Sequence, residues 1–317
     1  MRILPPWAFP SRCLSRAFFR TSFVLIGVHP NDAGGIDMAV RRAAAAGATA
    51  LQVFSAKPQF YNEKIAVRPE RVLRFRQAMA DSGLALSGCL VHAAYVLNTA
   101  SPEPEKAERA ALGLAKELER TEALGAFACC FHPGSAGDGD PAAAIDRVGD
   151  AVARAVAAVP GQARVLIENT AGAGRTMGRT PEEIAGMLRR VPAALRPRAG
   201  YGLDTCHLFA SGLDFTSSPA AARALIDRFC EVIGEAPSFL HCNDSEGAFG
   251  SNRDRHALIG AGQVGMDPFR WLLADERLRA IPCILETPHA RETVADDDPT
   301  ADPNDTAMVD RLRELAG

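Results

Sequence analysis

The sequence predicts an α/β fold, a closed (β/α)8 TIM barrel, and three observations predict it. Eight short β-rich runs recur along the chain, each ending in polar residues. Amphipathic, Ala- and Arg-rich stretches of helical period separate them, and strand alternating with helix argues a parallel sheet. No glycine fingerprint follows the first run, which counts against a doubly wound open sheet.

In order, the runs open with FVLIGVH (23–29) and ATALQVFS (48–55). LALSGCLVH (84–92) leads to ASPEPEK, where Ser101 is offered as a helix cap with prolines near the first turn, and to a helix over 104–125. AFACCFHPG (126–134) precedes a helix over 140–159. ARVLIENT (163–170) precedes GRTPEEIAGML, which places Thr180 as N-cap, Pro181 at the first helical position and acids in the first turn. RAGYGLDT (198–205), PSFLHCND (237–244) and IPCILET (281–287) complete the set. Two long irregular stretches remain, at 244–266 and 287–304; the second is acidic and is expected to be a solvated connector.

Residues 23–317 are expected to form one barrel domain, a length such barrels often reach. The first 22 residues hold four arginines and no acid, and are expected to be an unstructured extension or the product of a misplaced start codon. Apolar residues make up 47% of the chain and charged residues 23%, ordinary values for a globular protein. The net charge of −3 gives no global basic field, although a local patch or bound cations can still attract nucleic acid. The eight cysteines form no CxxC pair and lie mostly in apolar runs, so reduced, buried thiols in a cytoplasmic protein are expected. No run of 18 apolar residues exists, so no membrane span is expected.

The polar residues fall where a barrel builds active sites, at the carboxyl ends of its strands. His92 ends the third run, His132 the fourth, Glu168 the fifth, Asp204 with His207 the sixth, His241 the seventh and Glu286 the eighth; Asp254 and His256 lie in the long loop between the last two. Five of the seven histidines and four carboxylates therefore converge on one mouth. Four carboxylates crowded together repel one another, and bound cations remove that cost. Nitrogen and oxygen ligands without thiolate suit zinc, and also manganese or iron. Nine ligands suffice for two or three ions. Such clusters favour phosphoryl chemistry, whereas a sugar isomerase would use fewer histidines and an assisting lysine. The only lysine near any strand end is Lys57.

FHPGS (131–135), IENTAG (167–172), LDTCHLFASGLDF (203–215), HCNDS (241–245), GSNRDRHALIGAGQVG (250–265) and ILET (284–287) resemble the signatures of the endonuclease IV family of apurinic/apyrimidinic (AP) endonucleases, from about Phe23 to the C-terminus. The resemblance implies three zinc ions per chain. His92 and His132 would hold the first, with Glu168 bridging to a second that Asp204, His241 and Glu286 complete; His207, Asp254 and His256 would hold the third. It implies hydrolysis of the phosphodiester 5′ to an abasic site in duplex DNA, with Glu168 beside the attacking water, by a monomer. It also implies DNA contacts from the loops after the second and third runs, SAKPQFYNEK and HAAYVLN, where Tyr95 and Val96 would be wedges. Gln59 and Tyr61 stand where some relatives carry arginine. His29 would be an outer contact to the ligands or to DNA, and Asn169 and Asn243 would orient ligands. Cys206, between two ligands, would point away from both. The alternatives are a metal-dependent sugar isomerase or epimerase on the same barrel, and an abasic-site binder without hydrolysis. The third ligand trio and the wedge loops speak against the first, and the intact ligand set against the second.

Overall fold

The computed structural model describes residues 24–56 and 68–317. The expectations for residues 1–22, Gln59, Tyr61 and Lys57 fall outside them. The chain runs β1 (Leu25–Val28), α1 (Ile36–Ala45), β2 (Ala50–Phe54), α2 (Pro69–Ser82), β3 (Cys89–His92), α3 (Pro104–Leu124), β4 (Ala128–Phe131), α4 (Pro141–Ala158), β5 (Arg164–Glu168) and α5 (Pro181–Arg189). It continues β6 (Ala199–Asp204), α6 (Thr205–Ala210), α7 (Pro219–Ile233), β7 (Leu240–His241), β8 (Asp244–Ser245), β9 (His256–Ala257), α8 (Asp267–Leu273), α9 (Glu276–Arg279), β10 (Pro282–Leu285) and α10 (Pro303–Ala316). Eight parallel strands close in the order β1-β10-β7-β6-β5-β4-β3-β2, so the expected barrel is present with all eight runs in place.

Several helix starts follow from capping chemistry. Asp140, Thr180 and Asp302 each accept backbone N–H groups of the first turn, with proline at the start of the helix behind them. Ser101 does not cap α3: the helix begins at Pro104, with Glu103 before it, and the Ser101 hydroxyl accepts the Glu103 N–H instead. The prolines at 102 and 104 move the start past the serine.

The seventh run is shorter than expected. After His241 the chain leaves the barrel, and β8 pairs antiparallel with β9 in a small hairpin over the mouth. Asp244, fully buried, causes the departure by accepting N–H groups from Gly260 (2.9 Å), Gly262 (3.1 Å) and Val264 (2.8 Å). The connector after β10 is largely exposed, as expected, and is tied down by specific contacts. Asp302 is buried and accepts from the Ala290 and Arg291 amides. Arg42 on α1, likewise buried, donates to the carbonyls of Asn31, Ala33, Ala295 and Asp298 at 2.8–3.0 Å.

Strand side chains alternate between the lumen and the helical layer. Leu90, Ala128, Cys130, Leu166 and Phe239 form a separate apolar cluster of their own, and His92, His132, Glu168 and His241 lie two residues beyond its members. Glycine makes room in this lumen: a Cβ on Gly202 would sit 2.0 Å from the Phe239 ring, whose centroid lies 4.7 Å from that of the tilted His241 ring. Gly202→Ala is therefore expected to cost roughly 1–3 kcal/mol. Denaturant unfolding checks this, and a variant as stable as the parent would show that the lumen relaxes freely.

Candidate metal centre

Register brings the polar ends level. His241 lies opposite Asp204 on one side and Ile284 on the other, so Glu286 follows two residues on, and Glu168 lies opposite Gly202. Asp204 also caps α6, accepting the His207 N–H at 2.8 Å, which is why three residues separate them. The β8–β9 hairpin swings Asp254 and His256 over the same point. The result includes three sulfur-free groups whose ligand atoms lie within 4.8 Å of one another: His92, His132 and Glu168; Glu168, Asp204, His241 and Glu286; and His207, Asp254 and His256.

Within each group the atoms are oriented as a cation requires. His92, His207 and His256 turn Nδ1 to backbone carbonyls of Ala93 (2.7 Å), Asn169 (2.8 Å) and Glu286 (3.2 Å). A ring whose Nδ1–H is donated presents a bare Nε2 lone pair. The Nε2 atoms of His92 and His132 both stand 3.4 Å from Glu168 Oε2, and those of His207 and His256 stand 3.1 and 3.2 Å from the two Asp254 oxygens. Glu168 Oε2 and His256 Nε2 are buried and find no hydrogen-bond partner among the described residues. Buried polar atoms are rarely left so. Two orphaned acceptors inside a ring of converging ligands fit metal ions.

Electrostatics in the protein alone show how strongly the groups are coupled. Burial would push His241 and His256 down, but the surrounding carboxylates, Glu168 foremost for the first and Asp254 for the second, outweigh it and hold each near 9. His207 is raised well above its ordinary value in the same way, by Asp204 and Asp254. Burial would raise Glu168 and Glu286, yet the facing imidazoles, His241 foremost, hold both well below the usual carboxylate range. The centre is thus a balanced lattice in which protons stand where cations fit.

The asparagines hold the carboxylates. Asn243 donates to Asp204 Oδ2 (2.6 Å) and Glu286 Oε2 (3.1 Å), and Asn169 Oδ1 accepts the Asp204 N–H (2.6 Å). His29 stands beside the ligands, with Nδ1 3.7 Å from Glu286 Oε1, and burial lowers its pKa. Tyr95 is 53% exposed, whereas Val96 is half-buried against the core, so only the tyrosine projects. Cys206 departs from expectation: its thiol lies within 4.8 Å of ligand atoms of Asp204 and His256, although burial pushes it up to about 12 and its sulfur is turned to the Arg255 carbonyl. All seven described cysteines are free.

One residue was overlooked by the sequence reading. Gln52, fully buried in β2, stands at hydrogen-bond distance from His29, His241 and Glu286. Its signal was a polar side chain inside an otherwise apolar strand.

Comparison with known proteins agrees with this geometry. A family described as a xylose isomerase-like TIM barrel matches residues 40–313. A Chlorobium luteolum protein named "Probable endonuclease 4" is 36% identical over 265 residues, covering 83% of this chain and 93% of its own. The "Apurinic-apyrimidinic endonuclease" of Caenorhabditis elegans is 34% identical over 269 residues, covering 84% of this chain and 67% of its own. The crystal structure of endonuclease IV from Thermus thermophilus superposes with a TM-score of 0.75 at 30% identity, over 92% of this chain and 98% of that one. With its barrel and most of its length held in common with these proteins, the chain belongs to the endonuclease IV family.

Proposed function

We propose that this chain is an AP endonuclease of DNA repair that holds three zinc ions and hydrolyses the phosphodiester on the 5′ side of an abasic site, leaving a 3′-hydroxyl. The observation that carries the reading is the third group, His207, Asp254 and His256, set beside two groups that share Glu168. A small-sugar isomerase has no use for that trio. Histidine and carboxylate donors suit zinc, as they also suit manganese or iron. Bound zinc ions supply a water that loses its proton near neutral pH, neutralise phosphate oxygens and stabilise a departing alkoxide.

The chain's own residues prepare the rest. Glu168, wholly buried beneath the mouth, would hold the attacking water. Asp254, whose side chain is 43% exposed, lies on the open side, where a phosphate arrives. Tyr95 projects beside the mouth, where it can fill the gap left by the missing base while the abasic sugar turns into the pocket. Among the described residues no helix is long and apolar enough to cross a membrane. We assign the work to a single chain acting on cytoplasmic DNA.

The test is a duplex carrying a tetrahydrofuran abasic analogue, incubated with protein of known metal content. Nicking on the 5′ side by protein with about three zincs per chain supports the reading; a zinc-supplied chain that binds one ion or none and does not nick overturns it. Tyr95→Ala is expected to weaken abasic-duplex binding about tenfold while the single-turnover rate at saturation changes little, because the ring contributes stacking rather than chemistry. Unchanged binding would remove Tyr95 from the interface.

A further inference from the structure

We propose that Gln52 is a positioning residue that selects which ring nitrogen of His241 faces the metal centre. The inference rests on the reading of His241 as a ligand.

Gln52 Nε2 lies 2.7 Å from Glu286 Oε1 and 3.0 Å from His29 Nδ1, and Oε1 lies 2.8 Å from His241 Nε2. A carboxylate only accepts, so the amide nitrogen must be the atom facing Glu286. The amide oxygen then faces His241, and it too only accepts. His241 must therefore carry a proton on Nε2, so Nδ1, which donates to Glu168 in the metal-free protein, is the nitrogen left to a cation that displaces its proton. That Nδ1 points to Glu168 Oε1 (3.0 Å), Glu286 Oε2 (3.4 Å) and Asp204 Oδ2 (3.7 Å).

This reverses the pattern of His92, His207 and His256, each of which turns Nδ1 away to a backbone carbonyl. In His241, which is wholly buried on a two-residue strand, a side chain takes the carbonyl's place. The carboxamide suits the task because it is neutral. A carboxylate at 52 would add a fifth acid beside Glu168, Asp204, Asp254 and Glu286. The same amide also holds Glu286 Oε1, leaving Oε2 to the centre and to Asn243. One side chain thereby orients a histidine and a carboxylate of the same ligand group.

Gln52→Met keeps the volume and removes every hydrogen bond; Gln52→Glu keeps an acceptor for His241 but loses the donor to Glu286. Long-range 1H–15N spectra of histidine-labelled, zinc-loaded protein read which ring nitrogen of His241 keeps its proton. Loss of zinc to a chelator reads the affinity. The parent and Gln52→Glu are expected to carry the proton on His241 Nε2. Gln52→Met is expected to lose that fixed tautomer and to release zinc roughly 10- to 100-fold faster while its fold persists by circular dichroism. A parent with the proton on Nδ1, or a Gln52→Met protein with the parent's tautomer and zinc retention, overturns the proposal. A parent that takes up no zinc would instead sink the functional reading and this proposal with it, whereas zinc uptake with the proton on Nδ1 overturns the proposal alone.

Discussion

Glu168→Gln is expected to reduce incision of an abasic duplex by roughly 10³-fold or more while leaving the fold intact, a loss of the size seen when a preorganised charge contact is removed from a reacting centre. The reasons lie in where the side chain stands. Glu168 is wholly buried, belongs to two of the three ligand groups, and keeps Oε2 bare between His92 and His132. An amide has the same size but brings an NH2 group and no charge. One of its faces must point a donor at atoms that are themselves turned to bind cations. The first two groups lose their common ligand together, so zinc content should fall along with activity. Circular dichroism and thermal melting establish that the variant folds, elemental analysis gives its zinc, and a gel assay gives nicking. Nicking at the parental rate would place the essential chemistry elsewhere.

Stripping the metal is expected to do more than abolish nicking: it should make stability depend on pH. Without ions, protons on the imidazoles balance the carboxylates, and His241 and His256 are held near 9 rather than at their ordinary 6.5. A group whose folded pKa is raised contributes its full stabilisation below its unfolded value and loses it as pH rises through the folded one. The window for these two groups runs from 6.5 to about 9. Chelated protein should therefore melt roughly 5 °C or more lower at pH 9 than at pH 6.5. Zinc-loaded protein should melt at nearly the same temperature across that window, because ions and not protons hold the carboxylates together. Identical pH profiles for stripped and loaded protein would show that the imidazoles and carboxylates do not depend on one another.

The barrel was legible because its strands repeat a simple pattern, apolar runs ending in polar residues, and the ligand positions followed from strand ends. His92, His132, Glu168, Asp204, His241 and Glu286 are all within one residue of such an end. Asp254 and His256 were found by type and short spacing, but the hairpin that carries them was not. Its strands are two residues each, and the force that bends it outward is the Asp244 carboxylate gathering amides sixteen to twenty residues away. Periodicity carries no trace of such a long-range contact. Ser101 illustrates the converse: a good capping residue lost its place to the prolines that follow it. Gln52 escaped notice because a single amide in an apolar strand looks like a tolerated exception until the groups from β1, β7 and β10 close around it. The acidic stretch before α10 is solvated as its polar composition predicts, but composition carries no sign that one distant arginine collects its carbonyls at 295 and 298.

That arginine has a consequence for biosynthesis. The ring is sealed where β1 meets β10, and Arg42, near the start of the chain, grips carbonyls at 295 and 298, near its end. A nascent chain can form its successive strand–helix units as they leave the ribosome, β1 beside β2 included, but β1 lacks its β10 neighbour and Arg42 its carbonyls until almost the whole polypeptide has emerged. During translation, then, the exposed flank of β1 stays available to other chains, and chaperone dependence should concentrate in that interval.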